Sequence, residues 1–224
     1  MYNIGVILAG GTGKRVGGDL PKQLRRLSDG RTVLETCIDA FRACERIDEI
    51  IVVMHPDWTS QVPEGITVVA GGKERWESSW NAIKALSSLP SPQVPVNIFL
   101  HDCARPFVSI DILNRVCEAL ETNEAVTVAV PATDTIYVTG HSADRVLSLK
   151  DIPPRATMMR AQTPQAFRLE VIRRAYELAL LDPNGVAATD DAGIVLKYLP
   201  DQPITIVPGS EQNKKLTFET DFAG

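Results

Sequence analysis

No apolar run in this sequence approaches the roughly 20 residues that a membrane-spanning helix needs, so a bilayer is not expected as its partner. The opening Met1-Tyr2-Asn3-Ile4-Gly5-Val6 enters a strand-like segment with no basic stretch ahead of it, which reads as no signal peptide. Positive charge is not in excess: 23 Lys and Arg stand against 28 Asp and Glu, a formal net charge of −5. That balance gives no reason to expect a nucleic-acid or membrane surface. Cysteine is scarce, at four residues in 224, and Cys37, Cys44, Cys103 and Cys117 form no Cys-x-x-Cys pair. A disulfide framework is therefore not expected, and reduced, buried thiols in a cytoplasmic protein are. The three histidines, His55, His101 and His141, are scattered and match no zinc spacing.

What is present is an ordinary globular composition, 44% hydrophobic and 23% charged, with mean hydropathy of −0.02. The chain suits a single domain with a real core. Apolar runs alternate with helical patterns, without internal repeats or a long linker. Residues 4–8, 50–54, 66–70, 96–100 and 125–130 read as strands, with a last one at 204–207. Residues 33–43, 74–89, 110–121, 169–181 and 190–198 read as helices. Continuous Val/Ile/Leu strands separated by helices imply an α/β fold, a mainly parallel sheet with helices on both faces. The rhythm breaks at Pro131–Pro154. Residues 134–138, a turn near Gly140, and residues 145–149 read there as a β-hairpin. With little apolar material of its own, it is expected to project as an arm onto a partner subunit.

Ligands of open parallel sheets bind at the carboxyl ends of the strands. Three informative segments fall there: Ala9–Arg15, Gly71–Ser78 and Asp102–Pro106. The first, Ala9-Gly10-Gly11-Thr12-Gly13-Lys14-Arg15, is a glycine turn whose backbone N–H groups can approach phosphate oxygens. It is not a GxxxxGK[ST] loop, because Leu8 stands where the first glycine belongs and Arg15 follows Lys14. It is not a GxGxxG fingerprint either, because Val16 occupies the third glycine position. What remains is an N–H nest flanked by Arg15 and by Lys22 of Pro21-Lys22-Gln23, which suits a triphosphate. The competing reading is a plain tight turn with solvated cations. Asp102, at a strand end, can hold Mg²⁺ against phosphate oxygens; it could instead cap a helix or pair with Arg105. His101 reads as structural.

In order along the chain, LAGGTGKR, PKQ, GGKERWESSWNAI, HDCARPF, DTI, AQTPQAF and ATDDA resemble the 2-C-methyl-D-erythritol 4-phosphate cytidylyltransferases, from Ile4 to about Phe222. The sister ribitol-5-phosphate cytidylyltransferases share nearly the same skeleton. LAGG leans toward that sister group; Ala104 and ATDDA lean toward the methylerythritol enzymes. The resemblance implies a Rossmann-like nucleotidyltransferase, homodimeric through its β-arms, that joins CTP to an alditol phosphate with Mg²⁺. It implies that Ala9, Gly10, Gly11, Thr12 and Gly13 hold the CTP phosphates. Arg15 and Lys22 would stabilise the α-phosphorus. Gly72 and Ser78 would contact the cytosine, Ala104 would line the CTP site, and Asp102 would bind the metal. Thr135, Arg155, Thr189 and Lys215 would form the alditol-phosphate pocket, shared with the partner's arm.

Overall fold

A computed structural model describes residues 1–11, 20–87, 94–141, 147–186 and 188–222. The elements, in chain order, are β1 (Tyr2–Ala9), α1 (Val33–Arg42), β2 (Glu49–Met54), β3 (Thr67–Ala70), α2 (Arg75–Ser87), β4 (Val96–Asp102) and α3 (Ile110–Ala119). Then come β5 (Ala125–Pro131), β6 (Val138–His141), β7 (Leu147–Asp151), β8 (Met159–Arg168), α4 (Leu169–Leu180), α5 (Asp191–Tyr198) and β9 (Thr205–Pro208).

Seven strands form one sheet in the order β3-β2-β1-β4-β8-β5-β9. All are parallel except β8, which runs antiparallel to both of its neighbours. Strand β1 shows why its segment is apolar throughout. Ile7 and Ala9 pack under α1 and α3 on one face, while Ile4 and Val6 pack under α2, α4 and α5 on the other. Period-two alternation between two covered faces leaves residues 4–9 no polar position. Helix α1 begins where a capping box closes: the N–H of Glu35 donates to Thr32 Oγ1 at 3.1 Å, and the N–H of Thr32 donates to Glu35 Oε2 at 2.7 Å. Ser109 and Asp190 cap α3 and α5 with a single bond each, accepting the N–H groups of Ile112 and Gly193. All four cysteines are buried free thiols, as their spacing implied. Among the described residues no helix is long and apolar enough to cross a membrane.

Two expectations need correction. Residues 155–168, to which the sequence pattern gave no element, contain β8, a ten-residue strand inside the sheet between β4 and β5. The hairpin lies later than its pattern suggested: residues 134–137 are not strand, and β6 and β7 pair as a separate two-stranded sheet. Residues 142–146, between β6 and β7, lie outside the described residues. The hairpin's apolar side chains have no core beneath them; Leu147 is 65% and Leu149 52% exposed.

Candidate active site

The carboxyl ends of β1, β3 and β4 meet at one edge of the sheet. There the turn after β1 and the turn after β3 touch backbone to backbone. A Cβ on Gly71 would lie 3.0 Å from Gly10 Cα, so this approach requires glycine. Gln23, 2% exposed, braces the first turn: its Nε2 donates to the carbonyls of Ala9 at 2.7 Å and Gly11 at 2.9 Å. The second turn is braced from α2. The N–H of Gly72 donates to Ser78 Oγ at 3.1 Å, and Glu77 Oε2 accepts the N–H groups of Lys73 and Glu74.

Asp102 ends β4, and its two oxygens are held by different cations. Nε of Arg75 donates to Oδ1 at 2.8 Å, and Nζ of Lys215 donates to Oδ2 at 2.7 Å. Burial alone would raise the carboxyl's pKa, but Arg75 and Lys215 outweigh it and hold Asp102 well below the usual carboxylate range. The second terminal of Arg75, Nη1, donates to Asp191 Oδ2 at 2.7 Å. Burial works against the charged guanidinium, yet the two carboxylates raise its pKa further.

The neighbouring polar groups set this geometry. The N–H of Asp102 donates to Thr163 Oγ1, whose hydroxyl lies 3.1 Å from His101 Nδ1; Nε2 of His101 donates to the carbonyl of Arg105 at 3.0 Å. A neutral ring protonated on Nε2 satisfies both contacts, and burial lowers the His101 pKa to about 4. His101 is structural, as read. Arg105 is structural too: it donates to the carbonyls of Asn213 at 2.8 Å and Ala161 at 3.1 Å. With the bond from the N–H of Leu216 to the carbonyl of Ala104 at 2.7 Å, it ties down the segment that carries Lys215. Asp102 thus neither caps a helix nor pairs with the Arg105 side chain.

A cavity of about 240 Å³ gathers Ala9, Gly10, Gly11, Lys22, Gly72, Ser78, Asp102, Ala104 and Lys215, all singled out from the sequence. It also takes in Gln23, Lys73, Glu74 and Arg75, which were not assigned roles. Thr12, Gly13 and Arg15 lie outside the described residues. Thr135, Arg155 and Thr189 are exposed and do not line this cavity; Nη1 of Arg155 donates to the carbonyl of Thr133 at 3.2 Å. The overlooked Arg75 had one signal: Asp190-Asp191 offers two carboxylates where a helix needs one cap, and the second has to find a cation.

A mainly parallel α/β sheet with a glycine turn after its first strand and converging cations and a carboxylate at the strand ends defines a nucleotidyltransferase. The family model for IspD, 2-C-methyl-D-erythritol 4-phosphate cytidylyltransferase, matches residues 4–224, and the chain belongs to this family. It is 40% identical over 226 residues to the 2-C-methyl-D-erythritol 4-phosphate cytidylyltransferase of Thermobifida fusca, covering 97% of this chain and 89% of the relative. It is 36% identical over 229 residues to the bifunctional ribulose 5-phosphate reductase/CDP-ribitol pyrophosphorylase Bcs1 of Haemophilus influenzae, covering 98% of this chain and 46% of that one. Among solved structures it is similar to the 2-C-methyl-D-erythritol 4-phosphate cytidylyltransferase of Francisella tularensis, with TM-score 0.80, 26% identity and coverage of 100% and 97%.

Proposed function

We propose that this protein transfers the cytidylyl group of CTP to 2-C-methyl-D-erythritol 4-phosphate and releases pyrophosphate. The observation that carries the reading is the shared cavity of Lys22, Asp102 and Lys215 beside the glycine turn, in a chain of this family. A phosphate oxygen of the alditol phosphate attacks the α-phosphorus. The bond from that phosphorus to the bridging oxygen breaks, and pyrophosphate leaves with the electron pair. The attacking group is already an anion, so no side-chain nucleophile or general base is needed. The protein has to align two anions and offset their repulsion. Lys22 supplies positive charge in the cavity, and Arg15 is proposed to join it at the α-phosphorus. Thr135, Arg155, Thr189 and Lys215 are proposed to receive the alditol phosphate.

The donor set fits Mg²⁺. The described residues contain no cluster of three or more His, Cys, Asp or Glu that could hold a metal. An ion bound mainly by phosphate oxygens and water needs only one or two carboxylates, and Asp102 is ionised at the right place. Bound there, the ion would withdraw charge from the phosphate oxygens. The β6–β7 hairpin, with its exposed apolar side chains, is proposed as the arm of a homodimer, and the cytoplasm as the compartment. Removing residues 134–149 is expected to give a monomer by light scattering with little activity; an active monomer would reject a shared site.

Ribitol 5-phosphate is the second reading, favoured by the Haemophilus influenzae relative. Pyrophosphate release from CTP with Mg²⁺, measured with each alditol phosphate at equal concentration, decides. A preference for 2-C-methyl-D-erythritol 4-phosphate supports the proposal; a preference for ribitol 5-phosphate overturns it and leaves the machinery unchanged.

A further inference from the structure

Asp191 is the most deeply buried carboxylate beside the site, at 0% exposure, and it does not line the cavity. An ionised carboxylate in such a place is costly unless it is paired and hydrogen-bonded. Each of its polar groups is engaged. Oδ1 accepts the hydroxyl of Tyr176 at 2.6 Å, Oδ2 accepts Nη1 of Arg75 at 2.7 Å, and its N–H donates to Gln165 Oε1 at 3.0 Å. Gln165 in turn donates from Nε2 to Asp190 Oδ2 at 2.8 Å. The start of α5 is therefore a fixed anchor, and Arg75 is what it holds.

The two cations on Asp102 differ in the same respect. Lys215 is 43% exposed and its ammonium has one carboxylate partner. Arg75 is 28% exposed and is pinned at its far end by Asp191. A guanidinium is a planar fork that can span two carboxylates, which an ammonium on a flexible stem does not reproduce. Oδ1 of Asp102 is thus held by a group that cannot turn away, while Oδ2 is held by one that can.

We propose that Arg75 is a positioning residue for the cytidylyl transfer: anchored by Asp191, it locks Oδ1 of Asp102 and leaves Oδ2 as the oxygen that exchanges Lys215 for a divalent cation carried by CTP. This rests on the functional reading above. The bland competitor is that Arg75 only neutralises Asp191 and stabilises the fold.

The test uses D191N, R75Q, R75K and the R75Q/D191N double variant, each with three readouts: kcat and KM, binding of Mn²⁺ in the presence of CTP, and Tm. Loss of an outer partner of a metal-binding carboxylate costs on the order of 10–100-fold. D191N keeps one acceptor, for Tyr176, and replaces the acceptor of Arg75 with an amide NH2, so both the charge and the bond of the anchor are lost. It is expected to lower kcat and to weaken Mn²⁺ binding by about tenfold or more, with KM for CTP within about twofold. R75Q is expected to do the same, and D191N to add nothing in the R75Q background, because both act through one link. Values of kcat and Mn²⁺ affinity near wild type in D191N, with only Tm lowered, would overturn the proposal. So would an equal further loss in the double variant. If these three variants lose their fold, R75K, which leaves Asp191 a cation, decides alone: a loss of about tenfold in Mn²⁺ affinity supports the link, and wild-type affinity removes it. A wild-type enzyme silent toward 2-C-methyl-D-erythritol 4-phosphate would sink the functional reading, and the Mn²⁺ titrations would still judge Arg75.

Discussion

Asp102, Lys215 and Arg75 are held in place by residues of their own chain, through Thr163, Asn213 and Asp191. Thr135 and Arg155, assigned to the same reaction, stand exposed beside a two-stranded hairpin that the main sheet does not include. The first group gains order from a packed interior before any ligand arrives, so its backbone placement needs no assembly on binding. The second has no such backing within one chain, and its order has to come from a ligand or from a second subunit. In the proposed site, the contrast separates the residues that a single fold orders from those left to a ligand or a second subunit.

Four perturbations break or sharpen that contrast. Lys22→Ala removes a charge from the prepared side and is expected to cut kcat by roughly 10²–10³-fold in a pyrophosphate-release assay, the scale for one preorganised donor. A near-normal kcat would take Lys22 out of the chemistry. The buried network also predicts a pH response in stability. His101 has a folded pKa of about 4 against an ordinary 6.5, so the unfolded chain binds more protons between those values. Stability is then full above about pH 6.5 and falls as the pH drops toward 4, by about 3 kcal/mol for this group. Urea unfolding of wild type and His101→Gln across that range should show the slope in the first and a shallower one in the second; parallel slopes would disprove it.

Tyr176→Phe removes one of the two side-chain bonds to Asp191, and its effect should be smaller. A loss of about 2 kcal/mol is expected, the size of a hydrogen bond to a charged group, read as a lower denaturation midpoint with kcat near wild type. Arg155→Ala probes the other region. It is expected to raise KM for the alditol phosphate by about tenfold, from the loss of a charge-assisted bond, while KM for CTP stays put. Equal damage to both constants would erase the division between the two sides.

Most of the sheet was legible because its strands, buried on both faces, are written in mostly apolar runs, as in Ile50-Ile51-Val52-Val53-Met54. Strand β8 was not, since Gln162, Thr163 and Gln165 are polar and Pro164 lacks a ladder donor. These residues are buried because each has a specific partner, among them Ser210, Asp102 and Asp190. The pairing of β5 with β8 also slips here, from Thr127–Gln165 to Val128–Gln162, so Thr163 and Pro164 bulge out of the ladder. The bulge re-aims Thr163 at Asp102 and breaks the alternation that marks a strand. In the site, the glycine turn, Lys22, Asp102 and Lys215 were legible because they lie at strand ends or in a recognisable motif. Arg75 was not: its role depends on Asp191, 116 positions away, and only the folded chain brings the two together.

The antiparallel placement of β8 also fixes the order in which the sheet can be completed as the chain is made. Strands β1 to β4 pair among themselves, so β1, β2 and β3 have all their partners once residue 102 has left the ribosome, while β4 still waits for β8. Strand β5 is made next but pairs only with β8 and β9, both synthesised later. Until Arg168 emerges, β4 keeps an open edge and β5 has no neighbour, and unpaired edges are where nascent chains meet the wrong partner. The interval from residue 131 to residue 159, which carries the hairpin, therefore prolongs the time that edge stays open.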